Sequence, residues 1–132
     1  MRVVRFLSVE DVMAIHADTL QIEGGCSGMR DLGLLESAVM MPMQQFSGRY
    51  LHPDLASMAA AYLFHLVQNH SFIDGNKRVA AASMLVFLVS NGVEIPPEPE
   101  ELEDKTLAVA AGRVGKAELT TWLRHALGDL GC

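Results

Sequence analysis

Cysteine is nearly missing from this chain. Cys26 and Cys132 are the only two in 132 residues. They form no disulfide framework and no metal quartet, so a reducing, cytoplasmic setting is the simplest expectation. Aromatic residues reach only 6%, while half of the residues are hydrophobic, with many Ala, Leu, Val and Met. That balance favours close-packed helices over a β-sandwich. Basic charge is also scarce: ten Lys and Arg stand against sixteen Asp and Glu, a net charge of −6. With no basic stripe and no interleaved aromatics, direct nucleic-acid binding is not expected. The acidic excess is local, because Glu94, Glu98, Glu100, Glu101, Glu103 and Asp104 fall within eleven residues. They read as a solvated loop and helix start.

Long apolar runs are missing too. The longest stretch free of Asp, Glu, Lys, Arg and His, Val79 to Val93, contains Ser83, Ser90 and Asn91 and is too short to span a bilayer. Met1-Arg2-Val3-Val4-Arg5-Phe6 leads towards a helix cap without the apolar core of a secretory leader, so neither export nor membrane association is expected. One domain over residues 1–132 is expected, burying roughly two-thirds of the surface its unfolded chain exposes without help from a disulfide or structural metal.

What is present is helical patterning. Ser8 and Asp11 resemble a capping box, and Val12, Ile15, His16, Thr19, Leu20 and Ile22 recur near helical spacing, predicting a helix from about Val9 to Gln21. Gly24-Gly25-Cys26-Ser27-Gly28 breaks it. A second helix starts at Asp31, carries Leu34, Leu35, Ala38, Val39 and Met41, and stops at Pro42. Residues 44–52 have no helical period, and Phe46, Gly48, Tyr50 and Leu51 suit a short β-hairpin or an extended flap. Pro53 and Asp54 open a third helix that runs to Asn69 and is apolar almost all round, which predicts a central position. A fourth, equally apolar, runs from Asn76 to Ser90, with Asn91-Gly92 as its C-cap. Val93 to Pro99 must be extended because of its prolines. Two amphipathic helices follow, Pro99 to Ala111 and Lys116 to Leu127.

The loop between the third and fourth helices concentrates chemistry. His70-Ser71-Phe72-Ile73-Asp74-Gly75-Asn76-Lys77-Arg78 places a histidine, a carboxylate, a glycine, an amide and two cations within nine residues. A helix start is already positive, so Lys77 and Arg78 there favour an anion, with phosphate the obvious one. An unperturbed imidazole titrates near physiological pH, so a histidine at position 70 suits a general base. Asp74 could hold Mg²⁺ shared with substrate phosphates. Gly75 permits positive φ and close approach, and Phe72 would point inward as an anchor. Each residue also has an ordinary structural role: His70 or Asp74 as a helix cap, Gly75 as a turn. Their coincidence between two core helices points instead to phosphoryl or nucleotidyl transfer.

The same stretch resembles the motif of the Fic/Doc superfamily, His-x-Phe-x-Asp/Glu-Gly-Asn-Gly/Lys-Arg. With lysine after the asparagine it is similar to the Doc (death-on-curing) branch. Upstream, the segment from Gly28-Met29-Arg30-Asp31 to Ala38 resembles that branch's Gly-x-Arg-Asp-x-Gly-Leu-Leu-Glu-Ser-Ala block. The likeness covers nearly the whole chain. It implies an all-α fold, a compact bundle of about six helices with a short flap. It also implies that His70 is the base for a Ser or Thr hydroxyl, that Asp74 binds Mg²⁺, and that Gly75, Asn76, Lys77 and Arg78 contact the phosphates of ATP. The flap around Phe46, Gly48 and Tyr50 would register the target as an added strand, or be a plain surface loop. Arg30 and Asp31 would brace the motif.

Two departures bear on the reaction. AMP-transferring Fic enzymes have glycine where Lys77 stands and a second arginine where Ala81 stands. The Doc branch shares both changes and presents the γ-phosphate, which implies a kinase. Gly75, where Doc proteins can carry alanine, matches the Fic motif and keeps AMP transfer as the alternative. The resemblance further implies a toxin with elongation factor Tu as target, arrested translation, and a Phd-like antitoxin covering the site. Ser37-Ala38-Val39-Met40-Met41-Pro42 does not fit the inhibitory Ser/Thr-x-x-x-Glu-Gly/Asn pattern, so inhibition in trans is expected. Two readings rank lower: a metal phosphohydrolase joining His52 and His65 to His70 and Asp74, and an inactive binding module. Trp122 and the methionines read as packing, and Cys132 as inert.

Overall fold

The computed structural model describes residues 3–128, so Cys132 lies outside it. Helix α1 (Val9–Glu23) is followed by α2 (Leu32–Met40), a 3₁₀ turn (Met41–Met43) and a hairpin of β1 (Gln45–Phe46) and β2 (Arg49–Tyr50). Then come α3 (Leu55–Asn69), α4 (Asn76–Ser90), α5 (Pro99–Ala110) and α6 (Lys116–Ala126). The fold is the compact, helical bundle with a short hairpin that the sequence predicts.

The starts of the first three helices are set by side chains. Ser8 accepts the Asp11 N–H at 3.0 Å, and Asp11 accepts the Ser8 N–H at 2.9 Å. Asp31 accepts the Leu34 N–H at 3.0 Å, and Asp54 accepts the Ser57 N–H at 2.9 Å. Each cap satisfies a donor that the helix itself cannot. Pro42 ends α2 as expected but also seeds the 3₁₀ turn, because its fixed φ suits a first helical position. Ile22, expected on the inner stripe of α1, is exposed. Six residues beyond His16 it lies about 120° around the helix from that residue, off the buried side.

Helix α3 is central, packed against α2, α4, α5, α6 and the 3₁₀ turn. Ala59, Ala60 and Ala61 are fully buried and let these neighbours approach closely, while Leu63 and Leu66 fill the space between them. Each such leucine contributes on the order of 2 kcal/mol by leaving water. Tyr62 accepts the Leu7 N–H at 2.8 Å, tying the N-terminal segment to the core, and burial pushes its phenol up to about 12. Helix α4 is less enclosed than its composition predicts, since Val86 and Val89 are exposed. It packs against α1, α3 and α5 and keeps an outer stripe.

The acids between Glu94 and Asp104 are all exposed, as a solvated run should be. Trp122 packs against the core with the Lys105 ammonium 5.8 Å above its ring. Among the described residues no helix is long and apolar enough to cross a membrane. The antiparallel arrangement of α3 and α4 leaves the C-terminal end of one beside the N-terminal end of the other, and residues 70–75 join them there.

Candidate active site

The loop begins with a backbone constraint. His70 caps α3 in the left-handed region, at φ 52° and ψ 51°, a conformation that costs a non-glycine residue about 1 kcal/mol or more. Arg30 holds it there. Its Nε donates to the His70 carbonyl at 2.6 Å and its Nη2 to the Asn69 carbonyl at 3.0 Å. The cation thus satisfies two orphan carbonyls at the negative end of α3. The Ser71 carbonyl accepts the N–H groups of Arg30 and Asp31 at 2.8 and 3.0 Å, and the Ile73 N–H reaches the Gly28 carbonyl at 3.1 Å. Residues 28–31 therefore lie against 71–73 as a short antiparallel bridge. Arg30 and Asp31 brace the motif.

Phe72 points inward and is buried. The side chain of Asn76 pairs with its backbone twice: Oδ1 accepts the Phe72 N–H at 3.0 Å and Nδ2 donates to the Phe72 carbonyl at 2.9 Å. Asn76 is only 6% exposed, so its amide is committed to the loop. What it presents to an anion is the backbone N–H at the first turn of α4. Gly75 precedes that turn at φ 79°, where an added Cβ would be strained and would lie 3.4 Å from His16 Nε2. The backbone alone accounts for this glycine.

Asp74 is held by two amides. Oδ2 accepts the Cys26 N–H at 3.1 Å and Oδ1 accepts the Gly75 N–H at 2.8 Å. The Cys26 and Gly75 amides, helped by the charges of Arg78 and His16, hold its carboxyl below the usual range. Lys77 is exposed. Arg78 turns to the other flank of the loop, where Nη1 donates to the Gly24 carbonyl at 2.8 Å.

A cavity of about 320 Å³ opens at the loop, and His70, Asp74, Gly75, Asn76 and Lys77 line it together with Val67, Gln68, Ile73 and Ala110. Five of the six motif residues singled out from sequence thus meet in one place, and Arg78 stands beside it. The first-turn N–H groups of α4 have no partner within the helix, and no acid occupies that turn. The arrangement leaves room for an anion there, with the His70 imidazole in the same lining.

The donor set also fits Mg²⁺. Asp74 is the single carboxylate in the lining, and each of its oxygens keeps a lone pair after accepting an amide. One carboxylate completed by phosphate oxygens and water is the usual magnesium arrangement. Among the described residues no group of three His, Cys, Asp or Glu is placed to hold a metal on its own. His65 instead accepts from Lys116 Nζ at 3.0 Å, and burial followed by the Lys116 and His52 charges pushes its imidazole down to about 4. Burial and Lys116 lower His52 as well. Neither histidine lines the cavity, which removes the geometry a phosphohydrolase cluster needs.

The flap forms as a hairpin with the register Gln45↔Tyr50 and Phe46↔Arg49. Ser47 and Gly48 have φ of 52° and 76°, the positive pair of a type I′ turn. Phe46 is 74% exposed. Tyr50 rests edge-on against Phe6, and Phe6 stacks on Phe87. Phe87 lies about 16 Å along α4 from Asn76 by helical rise. Phe46, Gly48 and Tyr50 are therefore anchored towards the other end of α4 and do not line the cavity.

Sequence reasoning missed two contributors. His16, read as one more inner position of α1, reaches Asp74, and the glycine segment 24–26, read as a helix breaker, packs on Asp74 and Arg78. The signals were a histidine within an apolar stripe and three glycines in five residues, Gly24, Gly25 and Gly28.

The sequence model of the Fic/DOC family matches residues 6–88, which run from the segment before α1 through most of α4. The chain is 33% identical over 125 residues to the protein kinase doc of Escherichia phage P1, covering 95% of this chain and 98% of that protein. It is 40% identical over 90 residues to the toxin Doc of Mycolicibacterium smegmatis, covering 68% of this chain and 67% of that protein.

Proposed function

The chain belongs to the Fic/DOC family, in its Doc branch, and on that footing we propose that it is a toxin that transfers the γ-phosphate of ATP to a Ser or Thr hydroxyl of a translation factor. The observation that carries this reading is the convergence of His70, Asp74 and Lys77 on one cavity at the N-terminal end of α4. His70 takes the proton of the target hydroxyl, a contribution of about 10²–10⁴ in rate. The first-turn amides of α4 and the Lys77 ammonium hold the phosphates. Asp74 would hold Mg²⁺, which when bound neutralises phosphate charge.

Lys77 favours phosphoryl over AMP transfer, because it puts bulk and charge where AMP-transferring relatives have glycine. Ala81, one turn further along α4 and packed against the core, supplies no second cation for the outer phosphates. Gly75, the residue that matched the AMP-transferring pattern, is accounted for by its positive φ.

By family resemblance the target is elongation factor Tu, the setting is the cytoplasm, and a Phd-like antitoxin inhibits in trans by covering the cavity. The test is the mass of elongation factor Tu after incubation with the protein, ATP and Mg²⁺. A gain of about 80 Da supports phosphorylation; a gain of about 329 Da means AMP transfer, and no gain removes this target.

A further inference from the structure

We propose that His16 is a positioning residue for the phosphate end of this site, acting through the backbone of Asp74. The proposal rests on the phosphotransfer reading for its kinetic consequence, but its geometry stands alone. His16 sits on α1, remote in sequence from the motif, and is only 5% exposed. Its Nε2 lies 2.7 Å from the Asp74 carbonyl oxygen. A carbonyl can only accept, so Nε2 carries the proton. The ring also stacks on Phe72, with centroids 3.8 Å apart and planes 11° from parallel. An added Cβ on Gly75 would lie 3.4 Å from Nε2, so the imidazole covers that residue as well.

One side chain therefore contacts Phe72 and Asp74 and leaves little room over Gly75, three of the four positions just before α4. The Cys26 amide, from the segment that ends α1, holds Asp74 by its side chain. The two holds are complementary. His16 fixes the plane of the Asp74–Gly75 peptide, and that plane sets where the Gly75 N–H meets Oδ1 and where the first-turn amides of α4 point. A rotation of this peptide would swing the carboxylate and the amides out of the cavity together. Misplacements of about 1 Å cost on the order of 100-fold in rate at such sites.

Two variants separate the hydrogen bond from the packing. His16→Phe keeps an aromatic ring against Phe72 and removes the donor. His16→Gln restores an N–H at about the same reach and removes the ring. Amide hydrogen exchange at Cys26 and Gly75, thermal stability, and KM against kcat for Mg·ATP are read in both. The expected result is a 10- to 100-fold loss of kcat/KM in His16→Phe, mostly in KM, with faster exchange at those two amides and little change elsewhere. His16→Gln should recover most of the loss. Wild-type exchange and kinetics in His16→Phe would overturn the proposal. So would equal losses in both variants with exchange rising throughout α1 and α4, which would make His16 packing alone. Should the wild type transfer nothing from ATP, the phosphotransfer reading fails, while exchange at Cys26 and Gly75 still decides the role of His16.

Discussion

Replacing Asn76 with alanine separates a phosphate contact from a structural brace. The side chain makes two hydrogen bonds, at 3.0 and 2.9 Å, to the N–H and carbonyl of Phe72, and both residues are buried. Alanine would leave a buried donor and a buried acceptor without partners, each costing about 1–3 kcal/mol. The expected loss is about 2–4 kcal/mol, or on the order of 10 °C in melting temperature for a chain of this length. Chemical denaturation of the wild type and Asn76→Ala, with unchanged m-values, measures it directly. The backbone N–H of residue 76 survives the substitution, so nucleotide affinity measured well below the melting temperature should fall far less than stability suggests. Unchanged stability together with a tenfold or larger rise in KM for ATP would refute this reasoning and make the amide itself a phosphate ligand.

Gly25→Ala should cut phosphotransfer at least tenfold, because the new Cβ would lie 2.8 Å from Asp74 Oδ2 and 2.9 Å from Arg78 Nη2 at a backbone φ of +124°; kcat/KM for ATP reads it. Acid should weaken the α3–α6 contact through His65. Its folded pKa of about 4 lies below the ordinary 6.5, so the folded state binds fewer protons; the contribution is full above pH 6.5 and is lost as pH falls towards 4. The gross linkage of about 3 kcal/mol is cut to about 1 kcal/mol by solvent screening at this half-buried site, and urea titrations of wild type and His65→Gln between pH 7 and 4 would show the difference. Tyr62→Phe should cost about 1–3 kcal/mol in denaturant unfolding, since the Leu7 N–H loses its acceptor in the core.

The helices were legible because their stops are local. Ser8, Asp31 and Asp54 cap as short polar residues do, and the bounds of α3 and α4 follow from Asp54, Gly75 and Asn91. The site was legible to the extent that it is contiguous: His70, Asp74, Gly75, Asn76 and Lys77 fall within eight residues and line one cavity. What could not be read is what comes from elsewhere in the chain. His16 is separated from Asp74 by 58 residues, and a histidine on an inner helix stripe looks the same in sequence whether or not it finds a carbonyl. Asn76 and Arg78 were assigned by type, as an amide and a cation. Their side chains went to the backbone of Phe72 within the loop and of Gly24 at the end of α1, because backbone groups where helices end need partners from outside the helix. The flap was readable as a hairpin or an extended segment from Phe46, Gly48, Tyr50 and Leu51, but its attachment through Phe6 to Phe87 depends on how the N-terminal segment folds back.

The central claim is that His70 drives transfer of the outer phosphate. The most direct measurement supplies ATP labelled differently at the α- and γ-phosphates, with Mg²⁺ and elongation factor Tu, to the wild type and to His70→Ala. γ-Label is expected on the target with the wild type, and a loss of at least about 100-fold in His70→Ala. Label from the α-phosphate on the target, or undiminished transfer without His70, would contradict it.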